Sequence, residues 1–162
     1  LSKEILKRDD LQLFTAALLH DIGKIILGEF VSEKYREIKN TMSARSCSFL
    51  EAEEAILGVN HAGIGGVITT AWDFPQSIQQ AIAFHHRPDL CPGAESPMPW
   101  LIHLADQGCL MMGIGIGTDG LSYHALDEAM SRYGLTRKAF EDAVALLVQE
   151  LNNARELVGI VQ

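Results

Sequence analysis

The stretch Ala16-Ala17-Leu18-Leu19-His20-Asp21-Ile22-Gly23-Lys24 decides how this chain is interpreted, because it places an imidazole beside a carboxylate among apolar residues. Burying two such groups is costly unless they are hydrogen-bonded, ion-paired or bound to a cation. The rest of the chain must therefore supply partners for the His20-Asp21 pair. A metal ion is one such partner, and a hydrogen-bonded buried pair is the alternative.

Length and apolar spacing predict one compact all-α domain. The chain has 162 residues, of which 48% are hydrophobic, which is enough for one substantial core but not for several full domains. Apolar residues recur with helical spacing almost throughout, and no run of four or more residues alternates strictly as a half-buried strand does. We expect roughly seven to eight helices from this pattern.

Cap residues, glycines and prolines set the predicted helix boundaries. The helices are expected near 11–27, 31–42, 51–57, 60–72, 75–86, 100–112, 123–133 and 136–158. The first is nearly apolar all round, so we expect it to be central. Gly63, Gly65 and Gly66 weaken the fourth helix but let another backbone approach it closely. The segments 88–99 and 113–117 are predicted to be loops, and the second of these lacks the spacing of a dinucleotide fingerprint.

Charge and cysteine usage restrict the partners and the compartment. A net charge of −8 argues against nonspecific nucleic-acid binding, which needs clustered Lys and Arg. Three widely spaced cysteines without a CxxC pair are typical of free thiols in a reducing compartment. We therefore predict a cytoplasmic protein that does not bind nucleic acid.

No membrane segment is predicted either. The most apolar stretch, residues 14–27, is interrupted by charged and titratable side chains and is shorter than the roughly 20 residues that a bilayer span needs. A basic leader with a small-residue cleavage site is also not seen, so we expect no secretory signal.

Histidine and aspartate recur at four places along the predicted helices. The candidate metal ligands are His20, Asp21, His61, His85, His86 and Asp106. Imidazole and carboxylate without thiolate suit Fe, Mn, Co or Ni in a roughly octahedral site, and a carboxylate can bridge two ions. We expect one or two divalent ions as the cofactor, Fe or Mn rather than Zn.

The order of these residues resembles the HD superfamily of metal-dependent phosphohydrolases, and Lys24 completes the HDxxK form of its motif. Longer segments resemble the HDOD subfamily. They are Leu57-Gly58-Val59-Asn60-His61-Ala62-Gly63-Ile64-Gly65, Trp72-Asp73-Phe74-Pro75, Ala81-Ile82-Ala83-Phe84-His85-His86-Arg87-Pro88 and Ile102-His103-Leu104-Ala105-Asp106 through Gly115-Ile116-Gly117. The resemblance implies an HD-superfamily helical fold, with residues 1–162 as a single HDOD/HD-like domain that lacks the family's N-terminal helical lobe. The wider HD pattern also opens with an upstream His, and none precedes His20.

The HDOD resemblance implies a regulatory or output module of bacterial signalling, whose partner is a signalling protein or an upstream domain. The alternative is an active phosphohydrolase that cleaves a nucleotide or another phosphate ester with metal-activated water. Asp21 and Lys24 would then be catalytic, since Lys24 shares a helix face with His20 and its ammonium can stabilise a phosphoryl oxygen. HD-GYP activity on cyclic di-GMP is not supported, because Arg87-Pro88-Asp89 follows the double His instead of Gly-Tyr-Pro.

Each candidate also has an ordinary structural explanation. His61 could lie at the surface beside a helix cap, and His85-His86 could interact with a helix C-terminus. Asp106 could face solvent, and Lys24 could extend its ammonium to water from a helix end. His103 could support Asp106 from the same helix face, although ordinary packing explains it as well.

Overall fold

The computed structural model describes residues 10–31, 33–93, 96–113 and 123–159. All regular elements in these ranges are helical, which confirms the all-α prediction. The nine α-helices are α1 (Leu11–Leu19), α2 (Ile22–Phe30), α3 (Tyr35–Arg45), α4 (Phe49–Leu57), α5 (His61–Ala71), α6 (Gln76–Ala83), α7 (Pro97–Met111), α8 (Tyr123–Arg132) and α9 (Arg137–Val158), and a 3-10 turn covers Pro88–Leu90.

The segment predicted as one helix over 11–27 is two helices, divided at His20-Asp21. Asp10 begins α1 by accepting a hydrogen bond from the Leu13 amide at 3.0 Å. Helix α1 ends at Leu19, and α2 begins at Ile22 after Asp21 adopts a non-helical backbone conformation. The two most informative residues of the sequence therefore lie at a helix junction.

Helix α1 is not central, contrary to the prediction. Only Leu13 and Ala16 are buried on it, whereas Leu11, Phe14 and Leu18 are 65–79% exposed. A nearly apolar helix was expected to be covered on all sides, and here one side remains open. By length and composition alone Leu11–Glu29 could also cross a membrane, with 17% of the tested window buried. The absence of a membrane partner therefore stays a prediction.

Helix α7 occupies the centre instead. Its residues Leu101 and Ile102 join a cluster with α1 and α6, and Trp100 and Leu104 join a second cluster with α8 and α9. Because one helix takes part in both clusters, it links the N-terminal helices to the C-terminal pair.

Glycines let α5 pack closely on two neighbours, as the sequence predicted for Gly65 and Gly66. A Cβ atom at Gly65 would lie 2.7 Å from Ile82 Cγ2, and one at Gly66 would lie 2.8 Å from Ala83 Cβ. Gly63 makes only an ordinary contact. Gly23 on α2 is closer still, since any Cβ there would overlap the backbone carbonyl of His61. These contacts bring α2, α5 and α6 together close to Asp21, His61 and His85.

Several predicted boundaries differ from the structure. The helix expected over 75–86 ends at Ala83, so His85 and His86 follow it rather than belong to it. The expected loop 88–99 contains the 3-10 turn, and α7 already begins at Pro97. The helix expected over 31–42 lies at Tyr35–Arg45. Of the predicted glycine-rich link 113–117, residues 114–117 lie outside the described residues.

Candidate metal centre

His61 is the first residue of α5 and is fully buried. The side chain of Asn60 caps this helix by accepting from the Gly63 amide at 2.8 Å. The His61 ring makes its Nδ1 contact with Glu53 Oε2 at 2.5 Å, and its Nε2 lies 3.4 Å from Asp21 Oδ1. The interpretation of His61 as a surface residue near a cap is therefore wrong. Its Nε2 faces the other predicted ligands.

His85 lies two residues after the end of α6 and faces the site. Its Nδ1 donates to the Ile82 carbonyl at 2.7 Å, as expected of a histidine at a helix C-terminus. Its Nε2 is buried, has no hydrogen-bond partner among the described residues, and lies 3.8 Å from Asp21 Oδ1. Burial, followed by the neighbouring His86, lowers the pKa of His85 well below its usual value. The ring is thus neutral at pH 7, with its Nε2 lone pair directed at Asp21.

His86 completes the group of imidazoles. Its Nε2 lies 2.8 Å from His61 Nε2. Burial and then the nearby His61 lower the pKa of His86 to about 3, so it too is neutral at pH 7. Two nitrogens at neighbouring positions on one ion are about 3 Å apart when each metal–nitrogen bond is about 2.1 Å. The pair has the spacing of two ligands of a single metal.

Asp21 presents one oxygen to each side of the site. Its Oδ1 is buried without a hydrogen-bond partner among the described residues. Its Oδ2 accepts a hydrogen bond from Lys24 Nζ at 3.0 Å. Burial opposes ionisation, but His20 and the Lys24 ammonium outweigh it and lower the pKa of Asp21. Asp21 is therefore a carboxylate at neutral pH.

The potential ligand atoms of Asp21, His61, His85 and His86 all lie within 4.8 Å of one another. Native proteins rarely leave buried polar atoms without partners, yet Asp21 Oδ1 and His85 Nε2 are both in this state within the described residues. A cation between them would satisfy both atoms. The donor set of three imidazoles and one carboxylate fits a divalent transition metal.

His20 and Asp106 lie beside this cluster rather than in it. His20 Nδ1 donates to the Ala17 carbonyl at 2.8 Å. Its Nε2 is 3.5 Å from Asp21 Oδ2 and 3.8 Å from Asp106 Oδ1. The structure thus brings all six predicted ligands to one place, with three imidazoles on the Oδ1 side of Asp21 and His20 and Asp106 on its Oδ2 side. Their role as ligands stays a prediction.

Lys24 and His103 both make specific contacts within the site. Lys24 is half-buried and directs its ammonium to Asp21 rather than simply to water. His103 is fully buried on α7, and its Nδ1 donates to the His85 carbonyl at 2.8 Å. It therefore anchors the segment that carries His85 and His86.

Glu53 is a further residue of the site that the sequence did not predict, and it is 1% exposed on α4. Its Oε2 accepts from the His61 backbone amide at 3.0 Å and also contacts His61 Nδ1. In the sequence it stands in the acidic run Glu51 to Glu54, which looks like a solvated face. The available signal was its spacing: Phe49, Ala52 and Ile56 define an apolar stripe, and Glu53 falls on it.

The fold and the site together define an all-helical domain with a His/Asp group able to hold a metal ion. The HDOD domain family matches residues 1–88, which is more than half of the sequence. The chain therefore belongs to the HDOD family. Helices α7 to α9 lie beyond the matched range, and the single-domain interpretation stays a prediction.

Two solved structures share the fold. An HDOD domain protein of unknown function from Geobacter sulfurreducens is 18% identical with a TM-score of 0.70, and the match covers 88% of this chain and 52% of that one. A candidate phosphohydrolase from Shewanella amazonensis SB2B is 18% identical with a TM-score of 0.67, covering 90% of this chain and 53% of that one. The chain thus spans about half the length of these relatives. No curated protein matches it.

Proposed function

We propose that this chain is a metal-binding regulatory module of bacterial signal transduction. Asp21, His61, His85 and His86 would hold one divalent ion, Fe or Mn rather than Zn. The observation that carries the proposal is a pair of buried atoms, His85 Nε2 and Asp21 Oδ1, that have no hydrogen-bond partner in the described part of the chain. They belong to a cluster of ligand atoms that all lie within 4.8 Å of one another. A divalent ion bound between these two atoms would give each of them a partner without any change in their protonation.

The other side of Asp21 supports one tightly held ion rather than two. A second ion there would have His20, Asp106 and Asp21 Oδ2 as ligands among the described residues, and Oδ2 already accepts from the Lys24 ammonium. A second cation would have to compete with that ammonium for the same oxygen. This asymmetry favours a structural or sensory metal over a two-metal catalytic site.

Metal content and metal-dependent stability test the proposal. Purified protein is reconstituted with Mn²⁺ or with Fe²⁺ under anaerobic conditions, and the bound metal is measured by elemental analysis. We expect one ion per chain, and stabilisation by about 2.7 kcal/mol when free metal is at 100 times its Kd. His85→Ala should lose both effects. His124→Ala, outside every sequence motif, is the control. A protein that gains neither metal nor stability would refute the proposal.

A phosphohydrolase is the second candidate function, and the position of Lys24 favours it. Its ammonium lies 3.0 Å from Asp21 Oδ2, next to the cluster, where it could bind a phosphoryl oxygen. A bound metal would polarise the phosphate ester and activate water. Asp21 would orient that chemistry, and a nucleotide or other phosphate compound would be the substrate.

Turnover separates the two candidates. Metal-loaded protein is assayed with phosphomonoesters, nucleotides and cyclic dinucleotides. The regulatory proposal expects a bound metal without turnover. Robust hydrolysis that disappears in both His20→Ala and Lys24→Met, while Lys24→Met keeps its metal, would establish the enzyme instead.

The partners follow from charge and family. We infer a cytoplasmic module that works with a signalling protein or with a preceding domain of the same polypeptide, and not with nucleic acid or a membrane. The net charge of −8 supports the exclusion of nucleic acid. Because Leu11–Glu29 is apolar enough to span a bilayer, flotation with lipid vesicles is the direct test, and comigration with the vesicles would contradict the inference.

A further inference from the structure

Glu53 is a buried carboxylate whose described contacts go to a single residue. It is 1% exposed, and its Oε2 faces both the backbone amide and the ring Nδ1 of His61. Burying a carboxylate is costly, and an Ala or Met at this position would pack in an apolar stripe without that cost. The fold therefore retains a polar side chain where helix packing alone does not need one.

The position of His61 explains the need for such a group. His20 and His85 each donate their Nδ1 proton to a backbone carbonyl three residues earlier, Ala17 and Ile82 respectively. His61 is the first residue of α5, so the residue three positions earlier, Gly58, lies outside that helix. His61 cannot use a carbonyl of its own helix in this way. The acceptor comes from α4 instead, in the side chain of Glu53.

Two contacts to one oxygen fix the ring. The amide of His61 is one of the helix N-terminal donors that has no partner within the helix, and Glu53 Oε2 accepts from it at 3.0 Å. The same oxygen accepts the Nδ1 proton, so the Nε2 nitrogen keeps its lone pair and faces Asp21 and His86. A carboxylate acceptor also makes the imidazole a stronger electron donor than a carbonyl acceptor would.

We propose that Glu53 is a positioning residue that holds His61 in the Nδ1–H tautomer with Nε2 directed at the metal position, and that it thereby sets the metal affinity of the site. The inference rests on the proposed metal-binding function. His61 and His85 then share one arrangement, in which Nδ1 donates to the protein and Nε2 is left for the ion.

The first test examines the metal-free protein, so that it does not depend on metal binding. The ring nitrogens of His61 are assigned by ¹H–¹⁵N NMR in wild type, Glu53→Gln and Glu53→Met at pH 7. We expect the Nδ1–H tautomer in wild type and in Glu53→Gln, whose amide oxygen can still accept. In Glu53→Met we expect that the Nδ1–H tautomer is no longer the sole form of His61. An unchanged tautomer in Glu53→Met would overturn the proposal.

The second test measures metal affinity by competition with a chelator. Loss of a hydrogen-bond partner behind a metal-bound His costs about 10- to 100-fold in affinity, and we expect this loss in Glu53→Met. Glu53→Gln should recover most of it. If Glu53→Met does not fold, Glu53→Gln decides alone: it should bind metal measurably more weakly than wild type, and equal or tighter binding would overturn the proposal.

Thr69→Val is the matched control for a merely structural effect. Thr69 is a buried polar residue on the same helix, and its hydroxyl donates to the Gly65 carbonyl at 2.8 Å without contacting His61. It should lose stability but keep its metal affinity and the His61 tautomer. An equal loss of metal affinity in Thr69→Val would show that the loss in Glu53→Met comes from lower stability, and it would overturn the positioning role. If wild type binds no metal, the proposed function fails, while the NMR comparison still tests Glu53.

Discussion

The two oxygens of Asp21 face two different environments. On the Oδ1 side, His61 and His85 are fully buried, and their Nε2 nitrogens lie 3.4 and 3.8 Å from a carboxylate oxygen that accepts no hydrogen bond from the described residues. On the Oδ2 side, His20 and Asp106 are partly exposed, and Lys24 has already supplied a cation. The same carboxylate is thus available on one side and neutralised on the other. We therefore expect a bound cation to lie on the Oδ1 side of Asp21.

The largest expected effect comes from removing a ligand on the buried side. Loss of a hydrogen-bond partner behind a metal-bound His can cost about 100-fold in metal affinity. Because His85→Ala removes a predicted ligand itself, we expect a larger loss. His20→Ala should lower it less, because His20 lies beside the cluster. Isothermal titration with Mn²⁺ measures both. Equal losses would show that the two sides of Asp21 contribute equally and would remove the distinction between them.

Gly23→Ala should have the second-largest effect. Its Cβ would overlap the carbonyl of His61, so α2 must move away from α5 and take Asp21 with it. Overpacking of this kind costs about 1–3 kcal/mol, and we expect metal affinity to fall with stability. Gly28→Ala is the control on the same helix, because no atom lies within 4 Å of its Cβ position. That variant should be as stable as wild type or more stable. Urea unfolding and metal titration of both variants check the prediction.

Acidification should destabilise the metal-free protein, because the buried imidazoles on the Oδ1 side of Asp21 include rings with lowered pKa values. The pKa of His86 is lowered to about 3 in the folded state, below the about 6.5 of an unfolded histidine. Between these values the unfolded chain binds a proton that the folded chain does not. Stability should therefore fall as pH decreases below about 6.5, by about 1 kcal/mol per pH unit for each such imidazole.

Urea unfolding at pH 7, 6 and 5 measures this slope. His86→Asn removes one of the imidazoles and should give a shallower dependence on pH. Wild type whose stability is constant from pH 7 to pH 5 would contradict the neutral, buried state of these rings.

The smallest expected effect is that of Lys24→Met. Its ion pair with Asp21 is partly exposed, so its loss should change stability by about 1 kcal/mol or less. Removing a positive charge from Asp21 Oδ2 should slightly strengthen cation binding and can open the second position. The measurement is metal stoichiometry at saturation. Weaker metal binding in Lys24→Met would show that the ammonium supports the site rather than competes with it.

The sequence predicted which residues gather at the site better than it predicted their local backbone. Residue type and motif order indicated His61, His85 and Asp106, and the structure brings them close to Asp21 and His20. Their role as metal ligands stays a prediction. The break at His20-Asp21 could not be predicted, since the apolar spacing continues across it and the interruption depends on contacts with distant helices.

The exposed side of α1 and the contact of Glu53 with His61 were harder to predict than the residues that gather at the site. The open side of α1 escaped prediction because apolar periodicity indicates which face can be buried, not whether another element covers it. Glu53 was missed because its acidic neighbours suggested an exposed face. Its position on the apolar stripe indicates burial but does not show that α5 begins against it. Both depend on tertiary neighbours rather than on local propensity.

The apolar side of α1 also has a practical consequence for measuring these variants. Dyes that fluoresce on apolar surfaces bind partly unfolded proteins, and Leu11, Phe14 and Leu18 offer such a surface in the native state. A dye-based melt would begin with a high signal and report a transition smaller than the real one. Trp100, which is 1% exposed between α7 and the C-terminal helices, provides an internal fluorophore whose emission should shift to the red only when the core opens.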